Sequence, residues 1–377
     1  MILYVVSTPL HVFGTCELAG TVYKEEDNRV IVCSDAAIEY KGLIDCMSAA
    51  GYRIGIIDYS TLIQNGEGII QQESLKALMT ARFFNRWKII PELREENVDT
   101  IVIFTPNVLT AYLHYMFPNA QIVFAEDGLG SYTGAIYNRK FYFSEPPVIE
   151  KKNVAKRLFR FGDRLFFKGQ LAYQPAKIFL HMPSMNTYSH PGVIEKVECT
   201  PNLVEIYNEY FNARQDVSES ENYINYNCLV LGQPFLPETS INTLNYVIDT
   251  FSQNGLSVVY RKHPREQYEG EHNSGGLWEF RCLNEITNEH VIISVFSTAS
   301  ITPTLYFGKE PYLVFLHPIA KENSLHTDEA FESFVQSLSN SYSDPNKVFV
   351  VRGIDEVPVI AKRLRDVLAD REAGHGV

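Results

Sequence analysis

The chain has little that would place it in a cofactor or metal class. Its six cysteines, at 16, 33, 46, 199, 228 and 282, include no C-x-x-C pair, so a zinc site is not expected. There is no G-x-x-x-x-G-K-[ST], which excludes a P-loop NTPase, and no G-x-G-x-x-G follows a strand, so dinucleotide binding has no support. Basic residues are short, 33 against 45 acidic for a net charge of −12, so wholesale nucleic-acid binding is excluded. The N-terminus lacks the basic lead of a signal peptide, because the apolar opening runs straight into Ser7-Thr8-Pro9. Residues 100–125 carry no Asp, Glu, Lys or Arg. Pro106, Asn107, His114, Pro118 and Asn119 interrupt them, so they read as strand–helix–strand and not as a membrane span.

What is present fits a folded, soluble, two-domain protein. The 377 residues exceed one ordinary core. Hydrophobic residues make up 45% and charged residues 21%, which excludes disordered and fibrous classes. Cys16, Cys33, Cys228 and Cys282 lie in or beside apolar runs and read as buried free thiols. That favours a reducing, cytoplasmic compartment.

Apolar periodicity predicts strands at 2–6, 30–33, 53–58, 100–104 and 121–125, with helices at 10–23, 37–50, 75–97 and 108–117. A second unit opens at 227, with strands at 228–231, 257–262, 291–295, 311–315 and 347–351 and helices at 240–254, 299–307 and 357–372. Such alternation implies parallel sheets covered by helices, hence an α/β chain of two doubly wound domains facing a cleft. The expected division is 1–145, a connecting region 146–225, and 226–377. Within the connecting region, Lys151, Lys152, Lys156, Arg157, Arg160, Arg164 and Lys168 stand against one acid, Asp163, with phenylalanines interleaved. That mixture suits either a solvated basic helix or peripheral contact with an anionic membrane, on the inner face of a bacterial inner membrane.

Ligands of parallel sheets bind beyond the carboxyl ends of strands, so the residues there are the site candidates. Strand 121–125 is followed by Glu126-Asp127-Gly128-Leu129-Gly130-Ser131. Two adjacent carboxylates before a flexible turn suit a general base or a polar clamp, and equally an Asp-Gly turn with Glu126 solvated. Strand 257–262 leads into Lys262-His263-Pro264-Arg265, either a cationic cluster of the kind that meets a phosphate or a surface turn with a solvated histidine. Strand 291–295 leads into Ser297-Thr298 at a helix start, an anion site or a plain cap. The first strand ends in Ser7-Thr8-Pro9-Leu10-His11, whose polar groups either face the same cleft or cap the next helix.

In that order, Glu126-Asp127-Gly128, His263-Pro264 and Ser297-Thr298 resemble the D/E-D-G, H-P and S/T motifs of bacterial sialyltransferases. With Thr8-Pro9-Leu10 and the run to Tyr132, the likeness is to glycosyltransferase family 52, the lipooligosaccharide sialyltransferases. The resemblance implies a GT-B fold of two Rossmann-like domains, acceptor side first and nucleotide side second. It implies inverting transfer of sialic acid from CMP-sialic acid to a terminal sugar such as galactose of a surface or capsule glycan, on an acceptor that can be lipid-linked. No metal and no cofactor are implied. His263 would meet the departing phosphate, Ser297 and Thr298 would hold it, and Glu285 would take the ribose hydroxyls. The base would be Asp127, with Glu126 beside it and Glu238 as a rival on the opposite lip. CMP-Kdo or UDP-hexose donors, a two-lobed epimerase, a non-catalytic sugar-nucleotide-binding protein and a homodimer stay open.

Overall fold

The computed structural model describes residues 1–33, 40–57, 93–134, 161, 164, 173–190, 192–213, 222–233, 238–263, 277–295, 297–320 and 329–374. The chain divides into two compact units, Met1–Tyr210 and Phe211–Val377.

The first unit is built on a seven-stranded sheet. Its strands are β1 (Ile2–Val6), β2 (Asn28–Val32), β3 (Ile54–Ile57), β4 (Thr100–Ile103), β5 (Gln121–Ala125), β6 (Lys177–Leu180) and β7 (Val193–Lys196). They lie in the order β3-β2-β1-β4-β5-β6-β7, and every pairing is parallel. All five residues of β1 are buried, as expected of a strand covered by helices on both faces. The helices are α1 (Pro9–Gly20), α2 (Lys41–Ala49), α3 (Val108–Met116), the short α4 (Leu129–Thr133) and α5 (Pro201–Ala213), which carries the chain across the unit boundary. Helix α1 starts where it does because the Thr8 side chain accepts the His11 amide and Pro9 fills a first-turn position. The order reverses between β1 and β4, the place where ligands of such sheets bind.

The second unit carries β8 (Cys228–Leu231), β9 (Val258–Arg261), β10 (Val291–Ser294), β11 (Tyr312–Phe315) and β12 (Val348–Val350), all parallel in the order β12-β11-β10-β8-β9. Its helices are α6 (Glu238–Gln253), α7 (Trp278–Asn284), α8 (Thr298–Phe307), α9 (Glu329–Ser341) and α10 (Glu356–Gly374). One apolar core joins the sheet to α6 and α10 through Val230, Val247, Phe251, Ile293, Ala361 and Leu364. Here the order reverses between β8 and β10.

The region expected to be an irregular connector behaves differently over its described part. It adds β6 and β7 to the first sheet, and α5 packs on that unit through Tyr207 against Phe13. Of the basic stretch, only residues 161 and 164 are described, and Phe161 is exposed. The helix expected over 75–97 falls largely outside the described residues. All six cysteines are free thiols, with Cys16, Cys228 and Cys282 buried and Cys33 half-buried. Among the described residues, no helix is long and apolar enough to cross a membrane.

Candidate active site

In the first unit the site grows from the ends of β1, β4 and β5. Asp127 is the second residue beyond β5, after Glu126. Its Oδ1 lies 2.9 Å from His11 Nε2, and its Oδ2 accepts the Thr105 hydroxyl. Its backbone N–H donates to Ser131 Oγ at 2.8 Å. His11 sits on the first turn of α1, beyond β1, and Thr105 lies just beyond β4. Three strand ends therefore converge on one carboxylate at the reversal of strand order. Gly128 makes the turn out of Asp127 with φ 67°, ψ −149°, a conformation open to glycine and closed to most other residues.

Glu126 is adjacent in sequence and lies in another environment. Its buried Oε2 receives the Tyr132 hydroxyl at 2.6 Å, the His181 amide at 2.9 Å and His181 Nδ1 at 2.9 Å. The other imidazole nitrogen, Nε2, reaches Glu17 Oε2 at 2.8 Å. Burial opposes a charge on His181, but the two carboxylates that flank it outweigh burial and push it up to about 10. The imidazolium is thus the counter-ion of a buried Glu17–His181–Glu126 triad. The adjacent carboxylates do not share a site: Glu126 ties β5 to the end of β6 and to α1, while Asp127 faces the strand ends.

The other first-unit candidates play local parts. Thr8 Oγ1 caps α1, and the Ser7 amide donates to His11 Nδ1 at 3.1 Å. Ser131 is buried; beyond its bond to Asp127, its carbonyl accepts His190 Nε2 at 3.0 Å. Gly130 lies within α4.

In the second unit, Lys262 and His263 follow β9 and are half-buried, while Pro264 and Arg265 lie outside the described residues. Ser297 caps α8, its hydroxyl accepting the Ala299 amide at 3.2 Å, and Thr298 opens the helix. The cap stands beyond β10, at the reversal of this sheet. Trp278 Nε1 on α7 donates to the Ala299 carbonyl at 2.6 Å, tying α7 to that helix start. Glu238 is exposed at the start of α6.

Glu285 is engaged on both oxygens. Oε1 pairs with Arg281, and Oε2 accepts the Tyr223 amide at 2.8 Å. One turn and a half earlier, Glu279 is buried, and its Oε2 has no hydrogen-bond partner. Burial pushes its carboxyl up to about 7, against a smaller opposing pull from its own backbone amide and from Arg261. A group protonated to pH 7 when folded and ionised above about 4.5 when unfolded stabilises the fold fully below pH 4.5. That contribution is lost as pH rises through 7. Glu279→Gln should therefore gain on the wild type as pH goes from 5 to 8, by about 1–3 kcal/mol. Unfolding midpoints at the two pH values measure it, and a pH-independent difference would contradict the assignment.

Sequence reasoning singled out Asp127, Glu126 and the second-unit cluster, and named His11 as the last residue of the polar run that follows the first strand; it passed over Glu17, Thr105, His181 and Glu279. Thr105 lies just beyond the carboxyl end of β4, and that position is the signal that could have found it.

A family profile described as alpha-2,8-polysialyltransferase matches residues 2–272. No curated protein sequence matches the chain. Among solved structures, the chain is similar to the glycotransferase of kitacinnamycin, with TM-score 0.52 and 12% identity over 99% of this chain and 93% of the other. It is also similar to CalG4, the calicheamicin glycosyltransferase, with TM-score 0.46 and 12% identity over 98% and 89%. A UDP-N-acetylglucosamine 2-epimerase has TM-score 0.48 and 12% identity over 96% and 86%. The two parallel sheets of Rossmann type and the first of these likenesses make the fold GT-B. With the profile spanning the whole first unit and the start of the second, the chain belongs to the alpha-2,8-polysialyltransferase family and is a glycosyltransferase.

Proposed function

We propose that the protein transfers sialic acid from CMP-sialic acid to a terminal sugar of a bacterial surface glycan, with inversion and without a metal ion. The observation that carries the reading is Asp127, a partly exposed carboxylate at the first sheet's reversal point, held through both oxygens, in a member of a sialyltransferase family. In the reaction, the acceptor oxygen forms the bond to the anomeric carbon as the bond to the CMP phosphate breaks. Asp127 takes the acceptor hydroxyl's proton, and CMP leaves as an anion. General-base help of this kind contributes about 10²–10⁴-fold. Glu238 suits the role less well, since among the described residues no hydrogen bond positions it.

The first unit then serves as the acceptor side and the second as the donor side. His263 neutralises the departing phosphate, beside Lys262, and the Ser297–Thr298 start of α8 binds it through hydroxyls and amides. Glu285 suits the ribose hydroxyls less well than the resemblance implied, because both its oxygens are engaged by Arg281 and the Tyr223 amide. His263→Ala should lower kcat by about 10²-fold with little change in unfolding temperature; a loss under threefold would remove His263 from the phosphate site.

The family description points to a sialyl terminus as acceptor, and the motif resemblance to galactose. A lipid-linked form would be met by the basic, aromatic stretch 151–168. The test is a screen of CMP-sialic acid, CMP-Kdo and UDP-hexoses, read by free nucleotide released in the presence of sialyl- or galactosyl-terminated acceptors. Release from CMP-sialic acid supports the reading. Release from a UDP-hexose alone would replace it.

A further inference from the structure

We propose that His11 is a positioning residue for Asp127, orienting the carboxylate without neutralising it. The inference rests on Asp127 being the base and adds how that base is held.

The hydrogen bonds assign the imidazole. Nδ1 accepts the Ser7 amide at 3.1 Å, so it carries no proton. The proton sits on Nε2, which donates to Asp127 Oδ1 at 2.9 Å. Rotating the ring by half a turn would lose both bonds. The ring is also stacked flat on Phe104, with centroids 4.6 Å apart and planes 9° from parallel. Phe104 can lie there because residue 14 is glycine: a Cβ at that position would come within 2.8 Å of Phe104 Cε1. The end of β1, Gly14 on α1 and, from far along the sequence, Phe104 at the end of β4 thus fix one ring.

Exposure decides which member of the pair works. The His11 side chain is 2% exposed and that of Asp127 23%. In a dyad that presents an imidazole to substrate, the histidine would be the open member; here the carboxylate is. A neutral donor also suits a base. A lysine or arginine at position 11 would swing more freely and would stabilise the ionised carboxylate, weakening it as a proton acceptor. The Thr105 hydroxyl makes the same kind of neutral contact on Oδ2. Misplacement of a reacting group by about 1 Å can cost on the order of 10²-fold in rate.

Two substitutions separate this role from a local structural one. His11→Gln places an amide N–H near the Nε2 position and keeps the donor to Asp127. His11→Asn places its amide near Nδ1, where its oxygen can still accept the Ser7 amide but nothing reaches Asp127. The proposal expects His11→Gln to stay within about tenfold of wild-type kcat and His11→Asn to fall about 10²-fold, with the donor KM unchanged in both. Unfolding temperatures confirm that both fold; Thr105→Val, a second variant remote from the α1 start, should lose kcat in the same way if either does not. If His11→Asn matches or exceeds His11→Gln, the histidine serves the helix start and the proposal fails. The failure of the parent reading looks different: Asp127→Asn would remain active, whereas here Asp127→Asn is inactive and only the order of the His11 variants is reversed.

Discussion

Asp127→Asn is expected to abolish transfer while leaving CMP binding intact. The substitution keeps size and shape but removes the charge that accepts the acceptor's proton. It also places an NH2 group opposite either the His11 Nε2–H or the Thr105 hydroxyl, both of which donate to the carboxylate. A donor facing a donor turns the side chain or frees His11, so lost basicity and lost position act together. A fall of at least 10³-fold in kcat is expected, beyond the lower part of the 10²–10⁴ range for a general base alone. Nucleotide affinity, measured by titration calorimetry with CMP, should stay within about twofold, because the phosphate ligands proposed here belong to the second unit. Retained transfer in Asp127→Asn with loss in Glu238→Gln would make Glu238 the base.

The largest effect on stability is expected at His181. Replacing it with Gln removes the cation between Glu17 and Glu126, which are both buried and, among the described residues, each already have one oxygen without a hydrogen-bond partner. Breaking a buried charge network by removing one partner costs about 3–5 kcal/mol. The pH dependence has a definite sign. His181 is raised to about 10 when folded, against 6.5 for the ordinary group. Its stabilisation is complete below about pH 6.5 and is lost as pH climbs through 10. The wild-type unfolding midpoint should therefore fall between pH 7 and 10 more steeply than that of His181→Gln. A second change, Glu17→Gln in the His181→Gln background, should recover part of the loss by removing one stranded carboxylate. A His181→Gln protein as stable as wild type at pH 7 would show that the triad carries little of the fold.

Much of the fold was legible in the residues. β1, β5 and β8 lie at the expected positions because each is a short apolar run ended by polar or turn residues, here Ser7, Glu126 and Gly232. β6 and β7 were not legible. Each has four residues, KIFL and VIEK, and the second is an edge strand, exposed at both ends and half-buried between, with almost no apolar contrast. Helix α5 was missed with them, although Leu203, Ile206, Tyr207 and Tyr210 recur at helical spacing. The motif order indicated a sialyltransferase, but short motifs could not separate family 52 from the family whose profile matches.

The site was legible as positions and not as partners. Glu126-Asp127 and Ser297 stand where strand ends should present them. The pairings that decide their roles span 116 residues for His11–Asp127 and 164 for Glu17–His181, and no local pattern carries such distances. Glu126 illustrates the consequence. As a sequence neighbour of Asp127 it looked like half of a shared acid pair, but its oxygen is filled by three donors from Tyr132 and His181.

Inverting sialyl transfer from CMP-sialic acid leaves its signature in the products. The wild-type protein, CMP-sialic acid and a sialyl-terminated acceptor are incubated in excess EDTA, and the new linkage is read by NMR. An α-linked sialoside from the β-linked donor, one CMP released per linkage formed, and undiminished yield in EDTA are the expected result. A β-linked product, full loss of activity restored by Mg²⁺ or Mn²⁺, or no CMP release with sialyl or galactosyl acceptors while a UDP-hexose is consumed would contradict it.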